Sequence, residues 1–538
     1  MGVIAQILPP FLGTLLSYGF YKLFKLIRLQ WTSPLRILPG PKSRNPLLGN
    51  ALEFLANNGS IMHEKWFEYG STYKFHGILN LYVICTKDSR ALAHILSHTD
   101  IYQKSAETRR SLSRVFGEGL LTAEGDQHKR QRKVMNPAFG PAQVRALTGV
   151  FTEKATMLRD RISELLSPGH AEGTRVNVLS WLSKTTLDVI GEAGFNYRFN
   201  ALDPSAPPNE LNVLFNKLFN GEETPPVLST LQDVFPVLRI IPNAREKQIV
   251  LVQTMLASIG NQLLEDAKTA VAAADEKTGS GIDGRDLLTL LVKANMGESA
   301  TRRLSDADVL AQVPTFLIAG QETTSSATTW ALFALAQYPE IQTKLRDECL
   351  TMSTDTPSME QLDSLTYLDW VVRETMRVYP PVPGSMRVAM KDDVIPLEEP
   401  FTDAHGIQHH SFRVPKGADI VIQIIGSNLA KDTWGPDAAS YRPERWEAIG
   451  SNDAANAIPG VWGSQLSFLG GPRGCIGFRF AIVEMKALLY TLIRAFEFNL
   501  AVPVEDIVAT QSLVSRPSVR SEPKVGNQMP LLIKPFLG

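Results

Sequence analysis

The sequence predicts a mainly α fold with a minor, localised β region, forming a single large domain behind an N-terminal transmembrane helix. Three observations carry that reading. Helical periodicity dominates from about Ala91 to Ala267 and returns in long runs after Asp306. Strand-like runs are confined to Thr72–Thr86 and Phe412–Ile425. With 538 residues, 44% of them hydrophobic, the chain has ample material for a large core, and we find neither an internal repeat nor an inner linker. The chain therefore divides into residues 1–24, an anchor; 25–50, a basic and proline-rich hinge; and 51–538, the domain itself.

Met1 to Tyr21 carries no charged side chain, and Lys22, Lys25 and Arg28 follow at once. Crossing a bilayer takes about 20 apolar residues, which this run just supplies. Pro9 and Pro10 interrupt it, and membrane helices tolerate proline where neighbours satisfy the freed carbonyls. A cleaved secretory peptide would carry its positive charge before the apolar run, and here it comes after. The positive-inside rule then keeps the bulk of the chain cytosolic, single-pass, on the endoplasmic reticulum membrane. Leu38-Pro39-Gly40-Pro41, with Pro46 beyond, reads as a stiff spacer.

Past the hinge, Met62–Tyr69 reads as helix and Thr72–Thr86 as two strands around Gly77 to Asn80. Lys268–Arg285 reads as a surface loop because it is polar and ends in glycines. A helix is expected from Asp306 to about Tyr338, begun by a capping box of Ser305 and Asp308. Another ends near Tyr379, Asn452–Gln465 is irregular, and Phe478–Phe496 is helical with no internal glycine or proline.

Lys and Arg number 54 against 55 Asp and Glu, so no global field calls for nucleic acid. Three cysteines without paired spacing exclude a disulfide framework and a zinc cluster. Cys85, in an apolar strand, and Cys349, ending a helical pattern, read as packing thiols. Cys475 lies instead in a glycine-rich turn, Phe468-Leu-Gly-Gly-Pro-Arg-Gly-Cys-Ile-Gly477. Its glycines let the backbone pass close under a flat ligand and aim N–H groups at the sulfur. Those donors, with the start of the next helix, favour a thiolate. Phe468 can shield the sulfur, and the Arg473 guanidinium suits a carboxylate.

This segment resembles the haem-binding signature F-x-x-G-x-R-x-C-x-G of the cytochrome P450 family, with Phe468, Gly471, Arg473, Cys475 and Gly477 at the five fixed positions. The resemblance implies haem b, iron protoporphyrin IX, held through Cys475 as axial ligand. It also implies the established chemistry of cysteine-ligated haem in this family, in which thiolate donation favours O–O cleavage.

Further segments follow in the family's order. Ala319-Gly320-Gln321-Glu322-Thr323-Thr324 places a glycine, costing about 1 kcal/mol in a helix interior, at the centre of the long helix. By resemblance the helix opens there for dioxygen, with Gly320, Glu322 and Thr323 catalytic: Thr323 bonds the oxygen and Glu322 relays protons. Gln321, where the family often has histidine, is given no role. Glu374 and Arg377 share a helical face, a spacing that is common in surface ion pairs. The downstream Tyr441-Arg-Pro-Glu-Arg-Trp446 resembles the family's F-x-P-E-R-F and implies that Arg445 completes a buried structural network with them. In Gly125–Lys133 the family commonly has tryptophan and arginine four residues apart, both donating to a haem propionate. This chain keeps Arg132 and has His128 in the tryptophan's place. Arg387 matches another propionate-binding arginine. Lys129, Arg130 and Lys133 form either a solvated basic face or a docking patch for an acidic electron donor.

The resemblance implies a reductase-dependent monooxygenase that uses O2 on a small lipophilic substrate delivered from membrane lipid. No flavin or nicotinamide signature is present, so electrons are expected from NADPH through a separate NADPH–cytochrome P450 reductase, with cytochrome b5 as a helper. Phe316, Leu317, Ala319, Val382, Met386, Leu513 and Val514 are the pocket candidates by family position, and most are apolar. The wording of several segments is similar to fungal microsomal members, which suggests terpenoid or other natural-product hydroxylation. Fatty-acid or hydrocarbon hydroxylation is the alternative within this chemistry. A redox-independent haem-thiolate isomerase or dehydratase, and a non-catalytic haem sensor, are the alternatives outside it.

Overall fold

The computed structural model describes residues 30–50, 65–166, 173–206, 244–276, 286–298, 303–511 and 514–537, together with residues 13–14, 17–21, 24–25, 28, 53, 213 and 232. The expected anchor over residues 1–24 falls largely outside the described residues. Among the described residues no helix is long and apolar enough to cross a membrane. The chain gathers into two compact units, one from Met1–Gln103 with Gly384–Gly426, the other from Lys104–Pro383 with Ser427–Gly538. Each unit draws on segments far apart in sequence. That is why the division leaves no linker to be read from composition.

The first unit holds a five-stranded sheet in the order Thr72–His76, Tyr82–Thr86, Asp419–Gln423, Gly384–Ala389 and Tyr102–Gln103. A hairpin of Asp393–Thr402 with Gln408–Val414 belongs to the same unit. Leu79 and Asn80 turn the chain between the first two strands with φ of 56° and 58°. Trp66, Tyr73, Phe75, Val83, Cys85 and Val421 pack into a small core. Burial there pushes the Cys85 thiol up to about 12, in keeping with a packing role.

The second unit is mainly helical. It also holds a three-stranded sheet of Thr174–Asn177, Pro530–Pro535 and Phe496–Leu500 and a hairpin of Ile507–Gln511 with Ser515–Val519, so strands are not confined to the two regions expected from the sequence. The helices that position the site are α1 (Gly125–Met135), α2 (Pro141–Leu165), α3 (Val178–Phe195), α4 (Ala244–Glu276), α5 (Gln312–Gln337), α6 (Thr366–Val378) and α7 (Phe478–Ala495). Helix α5 packs against α3, α6 and α7, and α7 against α2, so α5 lies in the core. Ser305 and Asp308 form the expected capping box, but they start a short helix, Asp306–Leu310, that passes through Ala311 into α5. Helix α4 continues to Glu276, where a loop was expected from Lys268. The stretch KTAVAAADE is rich in good helix formers; it buries Val271, and Lys268 reaches Asp306 at 2.7 Å. Of its polar residues, Thr269 is exposed and Lys268 partly so. Asn452–Gln465 contains one turn of helix, Asp453–Asn456. Cys349 is fully buried and its thiol is pushed up to about 12.

Candidate active site

The loop before α7 is shaped by its backbone. Gly471 has φ +63°, in the left-handed region that favours glycine, and opens a short 3-10 turn through Arg473. The Cys475 N–H donates to the Phe468 carbonyl at 2.8 Å and closes the loop. Phe468 is buried edge-on against Trp462 at 5.7 Å and leans on Phe478. Cys475 is exposed, yet desolvation is the main influence on its thiol and raises its pKa. A hydrogen bond from the Gly477 backbone and the charge of Arg132 act in the opposite direction.

Helix α1 brings charge to this loop. Arg132 Nη1 donates to the Gly474 carbonyl at 2.6 Å, and Arg473 Nη1 to the Ala123 carbonyl at 2.6 Å. Arg473 Nη2 also bonds Glu124 Oε2, so its guanidinium meets a carboxylate of the chain itself. His128 is buried; its pKa is pushed down to about 3 by desolvation and by Arg473, Arg132 and Lys104. The imidazole is therefore neutral and can donate one hydrogen bond. Lys104 lies 3.7 Å from the same Glu124, so two cations share one carboxylate while Arg132 adds a third positive charge around His128. The Nε of Arg109, whose charge is felt by Arg473, is buried without a hydrogen-bond partner among the described residues. An accessible thiol beside surplus positive charge and an orphaned donor fits a haem, whose iron takes sulfur and whose edge carries carboxylates. Sequence reasoning missed Lys104, Arg109 and Glu124, which sit in no motif. On the outer side of α1, Lys129 pairs with Asp126 at 3.3 Å and Lys133 with Glu298 at 3.2 Å, both lysines exposed; Arg130 is exposed as well.

Helix α5 is open in one place. Of residues 315–336, only Ala319, Gly320 and Thr323 are not buried. With about 100° between successive residues, these three share one helical face. The helix runs through this stretch without a break, although the resemblance implied a local opening. Gly320 has a packing reason instead: a Cβ there would come within 2.8 Å of Ile190 Cγ1 on α3. Gln321 ties the same two helices, its Nε2 donating to Ser183 Oγ at 3.0 Å and its carbonyl accepting from Thr186 Oγ1 at 2.9 Å. Thr323 Oγ1 donates to the Ala319 carbonyl at 2.7 Å.

Glu322 points elsewhere. Its carboxylate is buried and Oε2 accepts from Arg516 Nη2, on the strand Ser515–Val519. Burial raises its pKa, and the Arg516 charge and hydrogen bond oppose that. Oε1 is buried with no hydrogen-bond partner among the described residues. Arg516 is a further residue that sequence reasoning missed, since only the fold brings the two together.

The structural network forms as a closed set. Glu374 accepts from Arg377 Nε at 2.9 Å and Nη2 at 2.8 Å, Arg445 Nε at 2.9 Å, Trp446 Nε1 at 3.0 Å and the Arg442 N–H at 2.8 Å. Arg377 Nη1 also donates to the carbonyls of Asn428 at 2.9 Å and Ala438 at 2.6 Å.

The pocket candidates scatter. Ala319 is on the open face, while Phe316 packs edge-on against Phe139 at 5.3 Å. Leu317 has no accessible surface. It is a core residue, because it projects about 100° around the helix from Phe316. Val382 is partly buried and Val514 fully so; Leu513 lies outside the described residues. Met386 and Arg387 belong to the first unit, Met386 being exposed and Arg387 bonding Ser385 Oγ and the Met386 carbonyl, each at 2.7 Å.

A family model described as Cytochrome P450 matches residues 39–524. The chain is 50% identical over 531 residues to Cytochrome P450 monooxygenase 205 of Postia placenta, covering 97% of this chain and 96% of that one. It is 48% identical over 532 residues to Cytochrome P450 monooxygenase 128 of the same fungus, with 97% and 96% covered. To Cytochrome P450 monooxygenase claO of Ampulloclitocybe clavipes it is 34% identical over 516 residues, with 94% and 93% covered.

Proposed function

We propose, from the premise that this chain belongs to the cytochrome P450 family and is a monooxygenase, that it hydroxylates a small lipophilic molecule of secondary metabolism, with terpenoids the leading class. One observation carries the site: an accessible Cys475 in the same unit as a core helix open only at Ala319, Gly320 and Thr323 along residues 315–336. Two of those three residues are apolar, which suits a hydrophobic substrate.

The family's haem-thiolate iron, when bound, supplies the binding and activation of O2. Cys475 would hold it through its sulfur, and His128, Arg132 and Arg473 would receive its carboxylates. The remaining work belongs to the chain's own side chains. Because Thr323 spends its hydroxyl proton on the Ala319 carbonyl, its lone pairs are left to accept a hydrogen bond at the open face. Glu322 is the carboxyl that replenishes protons, and burial has raised its affinity for them. Phe468, held between Trp462 and Phe478, keeps water from the sulfur.

Electrons come from NADPH through a separate NADPH–cytochrome P450 reductase, with cytochrome b5 as a second donor. The exposed Lys129, Arg130 and Lys133 offer an acidic donor a cationic face. Residues 1–24 anchor the protein in the endoplasmic reticulum membrane with its catalytic domain, residues 51–538, in the cytosol, where lipid delivers the substrate.

The test is consumption of NADPH and O2, with reductase present, over a panel of terpenoids and fatty acids. Hydroxylation of a terpenoid that needs both is the expected result. Hydroxylation of fatty acids alone would move the substrate class. Conversion without NADPH or O2 would overturn the reading in favour of an isomerase or dehydratase.

A further inference from the structure

We propose that Asn428 is a positioning residue for the sulfur of Cys475, tying the buried charge network of Glu374 and Arg377 to the loop that carries the cysteine. The inference rests on the reading of Cys475 as the residue that holds the haem, and adds the side chain that sets its loop in place.

A closed circuit of buried hydrogen bonds joins α6 to the loop. Arg377 Nη1, on α6, donates to the Asn428 carbonyl at 2.9 Å. The Asn428 side chain then meets two consecutive loop residues: Oδ1 accepts from the Leu466 N–H at 3.0 Å, and Nδ2 donates to Ser467 Oγ at 2.8 Å. Ser467 Oγ donates in turn to the Met376 carbonyl at 2.6 Å, back on α6 and one residue from Arg377. Asn428 and Leu466 have no accessible surface, and Ser467 is buried too. Polar groups in such surroundings need partners, and bonds linked in series strengthen one another.

The residue type fits the task. The Leu466 N–H needs an acceptor, and Ser467 Oγ, whose proton goes to Met376, takes a donor. A primary amide offers a carbonyl oxygen and an N–H group at one tip, so asparagine serves both positions at once. Leucine, of similar size, serves neither.

The clamped stretch is also strained. Ser464 and Leu469, on either side of it, have φ of 67° and 53°. Neither is glycine, and side chains keep to the left-handed region only where their surroundings enforce it. The Asn428 amide grips the chain between these two points. Phe468 follows directly, and its carbonyl accepts the Cys475 N–H at 2.8 Å. The place of the sulfur is therefore set from α6 as well as from within its own loop. Without the amide the stretch relaxes, Phe468 shifts against Trp462, and water reaches the sulfur. A wetter sulfur donates less charge to a bound iron, which raises the reduction potential.

Asn428→Leu, Ser467→Ala and Asn428→Asp test this as haem-loaded, substrate-free, full-length proteins. The readouts are the reduction potential and the half-life of the thiolate-type band in the reduced carbon-monoxide complex, with chemical denaturation run beside them. In Asn428→Leu the potential should rise and the half-life should fall about tenfold. Ser467→Ala breaks the circuit at one point and should move both readouts the same way by less. Asn428→Asp keeps an acceptor for Leu466 and offers a second to the Ser467 hydroxyl, so most of the half-life should return. Combining Asn428→Leu with Ser467→Ala should add little to Asn428→Leu alone, because the two act through one circuit. Should Asn428→Leu yield no holoprotein, Ser467→Ala and Asn428→Asp carry the test. Lowered stability in denaturant with potential and half-life unchanged would overturn the proposal, as would an Asn428→Asp protein no better than Asn428→Leu. A wild type that never shows the thiolate-type band would count instead against Cys475 as the residue that holds the haem.

Discussion

Glu374 and Glu322 are two carboxylates withdrawn from water in the same helical unit, 0% and 1% exposed, and their surroundings differ. Glu374 accepts five hydrogen bonds from four residues, so both oxygens are engaged. Glu322 accepts from Arg516 alone and keeps one oxygen unpaired among the described residues. A saturated buried network is rigid, since any rotation breaks several bonds at once. A half-satisfied carboxyl has less to lose by moving. On the proposed reading of Glu322, the difference separates a carboxylate that holds the fold from one that carries protons.

Removing the saturated one should have the largest effect. Glu374→Ala strands Arg377 and Arg445 in the interior, a loss of about 3–5 kcal/mol. Haem incorporation should fail, which the ratio of bound haem to protein will show; normal holoprotein would erase the distinction.

Glu322→Gln should spare the fold. The amide oxygen can still accept from Arg516, so the stability cost should stay near about 2 kcal/mol, while product formed per NADPH falls by about 10²-fold. Chemical denaturation and coupling assays separate the two effects. Its pH dependence has a definite sign. A carboxyl whose pKa is raised in the folded state binds its proton more tightly there. Its contribution is therefore fullest below the unfolded value of 4.5 and is lost as pH rises above it. The stability cost of Glu322→Gln should accordingly shrink as pH rises from 4.5, and a cost that grows with pH would contradict the burial argument.

The smallest effect is expected at the surface. Replacing Lys129, Arg130 and Lys133 with alanine should change stability by no more than about 0.5 kcal/mol each. The same change should raise the reductase concentration needed for half-maximal rate, most clearly at low salt. An unchanged reductase dependence would make these residues a solvated face only.

The sequence made the Glu374 side of this comparison readable and left the Glu322 side half hidden. Glu374, Arg377 and Arg445 belong to spaced motifs, so their meeting could be expected before any coordinates. The turn that carries Cys475 was equally legible, because its glycines mark a tight backbone, and the structure closes it at Gly471 and between Phe468 and Cys475. Glu322 stood in a motif, but Arg516 comes from a strand with no signature of its own, and only packing against Ser326 and Trp330 brings it near. Lys104, Arg109 and Glu124 were hidden for the same reason. Leu317 was assigned to the pocket by family position, and helical phase puts it in the core. The end of α4 was read as loop because solvated helix faces and loops share a composition. The two units could not be read at all, as each is built from separated segments.

All of the proposed oxygen chemistry depends on the Cys475 thiolate holding haem iron. The carbon-monoxide difference spectrum of the reduced, haem-loaded protein, taken beside that of its Cys475→Ser variant, decides it. The wild type should show the thiolate-type band and the variant should lack it. A variant that keeps the band, or a wild type whose spectrum reports imidazole ligation, would refute that ligation.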